Sequence, residues 1–118
     1  MLTIHQDETP EGFTVCRPVG ELDAFTVSQF RQALADMANG RRLLIDMSGI
    51  PFVDSAGLGA LIGAIRRTRE LGGEVAVACN RPTLVRLLRT TGFDRIVTVA
   101  ETIEEAAAAL SKDVPVKE

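Results

Sequence analysis

Residues 43–79 read LLIDMSGIPFVDSAGLGALIGAIRRTRELGGEVAVAC, and their pattern decides the fold. Leu43, Leu44 and Ile45 form an unbroken apolar run, as a strand covered on both faces requires, and Ser48-Gly49-Ile50-Pro51 follows as a turn. Asp54 is placed to cap a helix that runs to about Leu71 and stops at Gly72-Gly73, with Leu58, Leu61, Ile62 and Ile65 as its core stripe. A second apolar strand, Val75 to Cys79, comes next. Strand, helix, strand in this order implies a right-handed crossover between parallel strands.

The same alternation extends both ways. Upstream, Val27, Phe30, Leu34 and Met37 recur at three- and four-residue intervals and end at Asn39-Gly40, an amphipathic helix with its stop. Before it, Leu2–Gln6 and Phe13–Val19 read as the strands of a hairpin around the polar stretch DETPEG. Downstream, Asn80 is placed to cap a third helix with Pro82 in its first turn and Leu84, Leu87 and Leu88 inward, and Gly92 ends it. Arg95 to Val99 reads as a fifth strand. Thr102 and Glu105 have capping-box spacing before an Ala-rich helix ending near Leu110, and the tail SKDVPVKE reads as frayed. The expectation is one α/β domain over residues 1–118, with its core at about 4–110. It has a mixed, mostly parallel five-stranded sheet, an N-terminal hairpin and about four helices. Strand ends and helix starts then gather along one edge of the sheet, where function is to be sought.

Composition narrows that function. With 46% hydrophobic and 25% charged residues in 118, the chain has enough apolar surface to fold as a single domain. A formal charge of -3 argues against direct binding to nucleic acid. Aromatic content is 4%, with neither Trp nor Tyr, so platforms for stacking bases are scarce and the five Phe residues are expected mostly in the core. Cys16 and Cys79 sit in apolar runs as reduced thiols and are too few for a metal cage. No export signal and no apolar run long enough to span a membrane is present, so the expected compartment is the cytoplasm.

The segment Phe52-Val53-Asp54-Ser55-Ala56-Gly57-Leu58-Gly59 delivers Ser55 to the first position of the second helix. Amide hydrogens there lack intrahelical partners, and the helix dipole is positive, so a phosphate on Ser55 is stabilised by its position. Capping by Asp54 and Ser55 alone accounts for the same residues. A helical wheel puts Ala56, Gly59, Ala60 and Gly63 opposite the apolar stripe, a nearly bare outward face. Glycine within a helix costs about 1 kcal/mol relative to Ala, which close approach by a partner explains; accidental glycine use or close packing by a neighbouring loop is the alternative. Arg66, Arg67 and Glu70 border that strip, either as a charged rim or as an ordinary solvated face. Gly20-Glu21-Leu22-Asp23-Ala24-Phe25-Thr26 leaves the second strand, and the crossover geometry brings Asp23 towards Asp54 and Ser55.

Catalytic readings fit poorly. The lone histidine, His5, lies in the first strand, away from Ser55, so no nucleophile-base pair forms. Gly57-x-Gly59-x-x-x-Gly63 misses the dinucleotide fingerprint by one position and lies within a helix, and no phosphate loop with a lysine is present. Asp23 and Asp54 flank a serine, and no substrate cleft makes them an acid-base pair. No cofactor is implied, and a small nucleotide-hydrolysing enzyme is the weakest of the functional classes.

GELDAFT followed by FVDSAGLGAL resembles the STAS domain, in its bacterial anti-sigma-factor antagonist branch, over roughly residues 4–110. The resemblance implies a non-enzymatic regulator that binds an anti-sigma factor with serine kinase activity, so that the sigma factor is released. It implies that this kinase phosphorylates Ser55, that a serine phosphatase reverses the modification, and that Asp23 and Asp54 take part in partner contact or phosphorylation. Some relatives carry a second serine where this chain has Ala56, which leaves Ser55 the acceptor. The partner surface expected from motif and wheel together is Asp23, Asp54, Ala56, Gly57, Gly59, Ala60, Gly63 and Arg67. A different class with the same fold, the cytoplasmic STAS accessory subunit of a membrane transporter, is the alternative.

Overall fold

Leu43, Leu44 and Ile45 are completely buried because they form the middle of a five-stranded sheet covered on both sides. A computed structural model describes residues 1–37 and 42–113 of the chain, apart from the side chains of 111–113. The elements are β1 (Leu2–Glu8), β2 (Thr14–Gly20), α1 (Val27–Met37), β3 (Arg42–Asp46), α2 (Ser55–Glu70), β4 (Glu74–Ala78), α3 (Pro82–Thr90), β5 (Thr98–Ala100) and α4 (Ile103–Asp113). The sheet order is β1-β2-β3-β4-β5, with β1 and β2 antiparallel and every other pair parallel. The single α/β domain with an N-terminal hairpin and four helices is the architecture that the alternation predicts.

Alternation along each strand divides the core in two, since successive side chains point to opposite faces. Leu43, Ile45, Val75, Val77 and Cys16 pack with α1, α2 and α3 on one face. Leu44, Ala76, Ala78 and Val15 pack with Phe13 and with Ala106 and Leu110 of α4 on the other. The small side chains Ala76 and Ala78 let the Ala-rich α4 lie close to β4. Cys16 and Cys79 are free and buried; burial pushes the Cys16 thiol up to about 12 and raises that of Cys79, so both stay protonated.

Local details differ from expectation in several places. The N-cap of α3 is Arg81 and not Asn80, and it makes no side-chain cap bond; Pro82 in the first turn has no N–H and so needs no acceptor there. Arg95 and Ile96 do not join the fifth strand: Gly92 takes a left-handed φ of 79°, Phe93–Arg95 forms a short 3-10 turn, and β5 begins at Thr98. The buried Phe93 and Val97 are four residues apart, which is helical spacing. Helix α4 continues to Asp113, past the expected fraying point at 111; Glu105 N donates to Thr102 Oγ1 at 3.1 Å as the capping box requires, but Glu105 Oε1 accepts from Glu101 N at 3.2 Å, one residue before the cap. The Asn39-Gly40 stop and the end of the tail lie outside the described residues.

Candidate functional site

Above the carboxyl ends of β2 and β3 the chain makes one more parallel contact, an isolated bridge between Leu22 and Val53. Both side chains point into the core, 1% and 2% exposed, so the next residue of each segment faces out. Those residues are Asp23 and Asp54, and Ser55 follows at once. The bridge is therefore the device that puts the GELDAFT and DSAGLG segments on one lip. Gly20, which ends β2 at the start of the first of these segments, is held to glycine by the neighbouring chain start, because a Cβ at its φ of 125° would strike the Met1 carbonyl oxygen.

Both aspartates act as caps, Asp54 as its spacing alone suggested, and each does so with a single oxygen. Asp54 Oδ1 accepts from Gly57 N at 2.9 Å at the start of α2. Asp23 Oδ1 accepts from Phe25 N at 2.9 Å and from Thr26 N at 3.1 Å ahead of α1. Thr26 locks that turn, its hydroxyl donating to the Glu21 carbonyl at 2.7 Å and accepting from Asp23 N at 3.0 Å. Capping fixes both carboxyl groups and leaves each Oδ2 without a hydrogen bond among the described residues. Ser55, the first residue of α2, is exposed, and its hydroxyl has no partner among the described residues. A phosphoryl group there meets the free amides of the first turn and the positive helix end.

Along α2 the buried stripe is Gly57, Ala60, Leu61, Ala64, Ile65 and Thr68. This corrects two of the expected contact positions. Ala60 is only 2% exposed, because α1 packs against this side of α2 and turns the stripe away from Leu58 and Ile62, which are half-buried. Gly57 is buried under the bridge, where a Cβ would lie 2.9 Å from Leu22 Cγ and 3.0 Å from Val53 Cγ1. Gly57 therefore presents no surface to a partner, and Ala60 shows only a trace, at the bottom of the cleft between α1 and α2. Ala56 is half-buried, whereas Gly59, Gly63 and Arg67 are exposed, and a Cβ on either glycine would meet nothing within 4 Å. The open strip is therefore Gly59 and Gly63, and its glycines have no packing reason within the described chain.

The tight fit at Gly57 gives a direct prediction. Gly57→Val forces Leu22 and Val53 apart and lowers unfolding free energy by about 1–3 kcal/mol, read by urea denaturation, as overpacking of a filled core does. Unchanged stability in that variant would mean that the bridge yields freely.

Two large side chains on the lip escaped the sequence reading. Phe25 is 94% exposed and Phe52 64% exposed, one in each loop, while Phe13, Phe30 and Phe93 are fully buried. Their signal was position: each stands in a turn segment outside any helical or strand period. Among the described residues no helix is long and apolar enough to cross a membrane, and no cluster of three or more metal-ligating side chains occurs.

An exposed hydroxyl at a helix start, two fixed carboxylates and two projecting phenyl rings thus share one lip of a small α/β domain, above the carboxyl ends of β2 and β3. The STAS domain family model matches residues 5–106, and the chain belongs to that family. An anti-sigma F factor antagonist of Paenibacillus polymyxa is 30% identical over 95 residues, spanning 78% of this chain and 81% of the relative. An anti-sigma-B factor antagonist of Listeria monocytogenes is 32% identical over 82 residues, spanning 68% and 72%. The crystal structure of an anti-sigma factor antagonist from Mycobacterium paratuberculosis superposes with a TM-score of 0.85 at 25% identity, covering 94% of this chain and 95% of that one.

Proposed function

We propose that this chain is an anti-sigma-factor antagonist: unphosphorylated, it binds an anti-sigma factor with serine kinase activity and thereby releases the sigma factor, and phosphate on Ser55 ends the binding. A serine phosphatase restores the binding form, and the exchange takes place in the cytoplasm without direct contact to nucleic acid. The observation that carries this reading is the exposed, unpartnered Ser55 hydroxyl at the start of α2, with Asp23 and Asp54 held beside it. The names of the relatives supply the partner class. Asp23 and Asp54 contact the partner through the oxygens their caps leave over, and Gly59 and Gly63 allow its close approach. The chain catalyses nothing; the kinase brings the nucleotide.

The switch is local. A kinase transferring phosphate to Ser55 holds nucleotide phosphates over the lip, so a phosphoserine carrying about -1.5 to -2 charge faces nucleotide phosphates as well as Asp23 and Asp54. A coupling of about 3 kcal/mol changes affinity by more than about 100-fold, which needs no refolding of the domain. The test is intact mass and site mapping after incubation with candidate anti-sigma-factor kinases and ATP. One phosphate on Ser55 is expected; a phosphate elsewhere, or none with a kinase that binds the chain, contradicts the proposal. Co-purification with transporter subunits and no phosphorylation would favour the accessory-subunit reading.

Gly59 offers a second check. Gly59→Arg fills open space and improves helix propensity by about 0.5–1 kcal/mol, so thermal stability rises slightly while affinity for the anti-sigma factor falls. Full affinity in this variant would remove the strip from the docking surface.

A further inference from the structure

At about 1.5 Å per residue, Arg67 lies about 18 Å along α2 from Ser55, and the surface there differs from the lip. A groove of about 320 Å³ opens between α1 and α2, floored by Leu34, Ala35, Ala60 and Ala64. Arg31 stands on the α1 bank and Arg67 on the α2 bank; both are exposed, and neither has an ion pair or hydrogen bond among the described residues. Among the described residues no carboxylate lines the groove. Gly63 opens into it, and a Cβ there would meet nothing within 4 Å, so the glycine costs helix stability without an internal contact to justify it. The open strip thus runs from the lip, through Gly59 and Gly63, into this groove.

Apolar floor and unpaired cations together specify an occupant. The groove is bordered by little more than one turn of α1 and two of α2, too short and open to enclose a free ligand, but it fits one apolar side chain of a docked protein. Guanidinium groups on both banks favour carboxylates on either side of that side chain, and their planar donors pair with carboxylates in bidentate fashion. We infer that this groove is a second anchor point of the docking surface, accepting an apolar side chain flanked by acidic residues of the anti-sigma factor, with Arg31 and Arg67 pairing with those acids. This rests on the antagonist reading. It also sets orientation, since the lip carries Glu21, Asp23 and Asp54 and the far end carries arginines, so a partner docked in reverse meets like charges.

The experiment measures affinity of the full chain for an anti-sigma factor kinase that binds it, at low and at physiological salt. The variants are Arg31→Glu with Arg67→Glu, Gly63→Trp, and Ser55→Asp as a control at the other end of α2. The charge reversal is expected to weaken binding at least about tenfold at low salt and to reduce the salt dependence. Gly63→Trp fills the groove without altering charge and is expected to weaken binding about tenfold or more, with thermal unfolding little changed because its Cβ points into open space. If both groove variants bind like the unsubstituted chain while Ser55→Asp does not, the groove inference falls and the antagonist reading stands. If the unsubstituted chain binds no anti-sigma factor of its source organism, both fall.

Discussion

Ser55→Asp weakens binding to the anti-sigma factor by about 10- to 100-fold, while Ser55→Ala leaves it within about threefold and removes phosphorylation altogether. The sign follows from the lip. A further carboxylate joins Asp23 and Asp54 on the side that the proposed kinase's nucleotide phosphates would face, whereas Ala removes only an exposed hydroxyl that has no bond among the described residues. Stability separates this effect from misfolding: a negative charge in the first turn of α2 interacts favourably with the helix dipole by about 0.3–1 kcal/mol, so Ser55→Asp melts at or above the temperature of the unsubstituted chain. Isothermal titration of both variants against one anti-sigma factor decides the matter, and equal affinities would count against charge at this position as the switch.

Replacing Phe25 and Phe52 together by Ala is expected to cost about 100-fold or more in affinity. Buried aromatic anchors dominate most protein interfaces, at about 2 kcal/mol or more for each well-packed ring. At 94% and 64% exposure the two rings add almost nothing to the fold, and the double variant is expected to match or exceed the thermal stability and solubility of the parent. Rings of this size kept in water beside the exposed Ser55 are placed for contacts outside the domain's own core. Surface plasmon resonance with the double variant measures the loss, expected chiefly as faster dissociation. Affinity unchanged by the double substitution would move the docking surface away from the loop tips.

The fold was legible because its signals are periodic. Apolar runs in β3 and β4, three- and four-residue spacing in α1 and glycine stops after α2 and α3 were sufficient for sheet type and helix number. Cap chemistry at Asp54 and Thr102 was also readable, since side-chain reach is set locally. What sequence could not supply was the rotation of α2 about its axis. A wheel finds the centre of the apolar residues, but Ala60 and Ala64 are small, carry little weight in it and are the residues that α1 covers. Gly57 was misassigned for a related reason: a glycine open to a partner and a glycine pressed beneath Leu22 look alike until the neighbouring loop is in place. Phe25, Phe52 and Arg31 lie on features made by two segments at once, the lip and the groove, and no local pattern announces those.

The most direct test compares one preparation in two states. Chain phosphorylated on Ser55 and chain treated with phosphatase are titrated in turn against the same anti-sigma factor, with a hydrogen-exchange profile of each free form. The account predicts an affinity difference of at least about 100-fold, with exchange altered only around the lip and the first turn of α2. Equal affinity of the two forms would contradict it, and so would a protection change spread through the sheet.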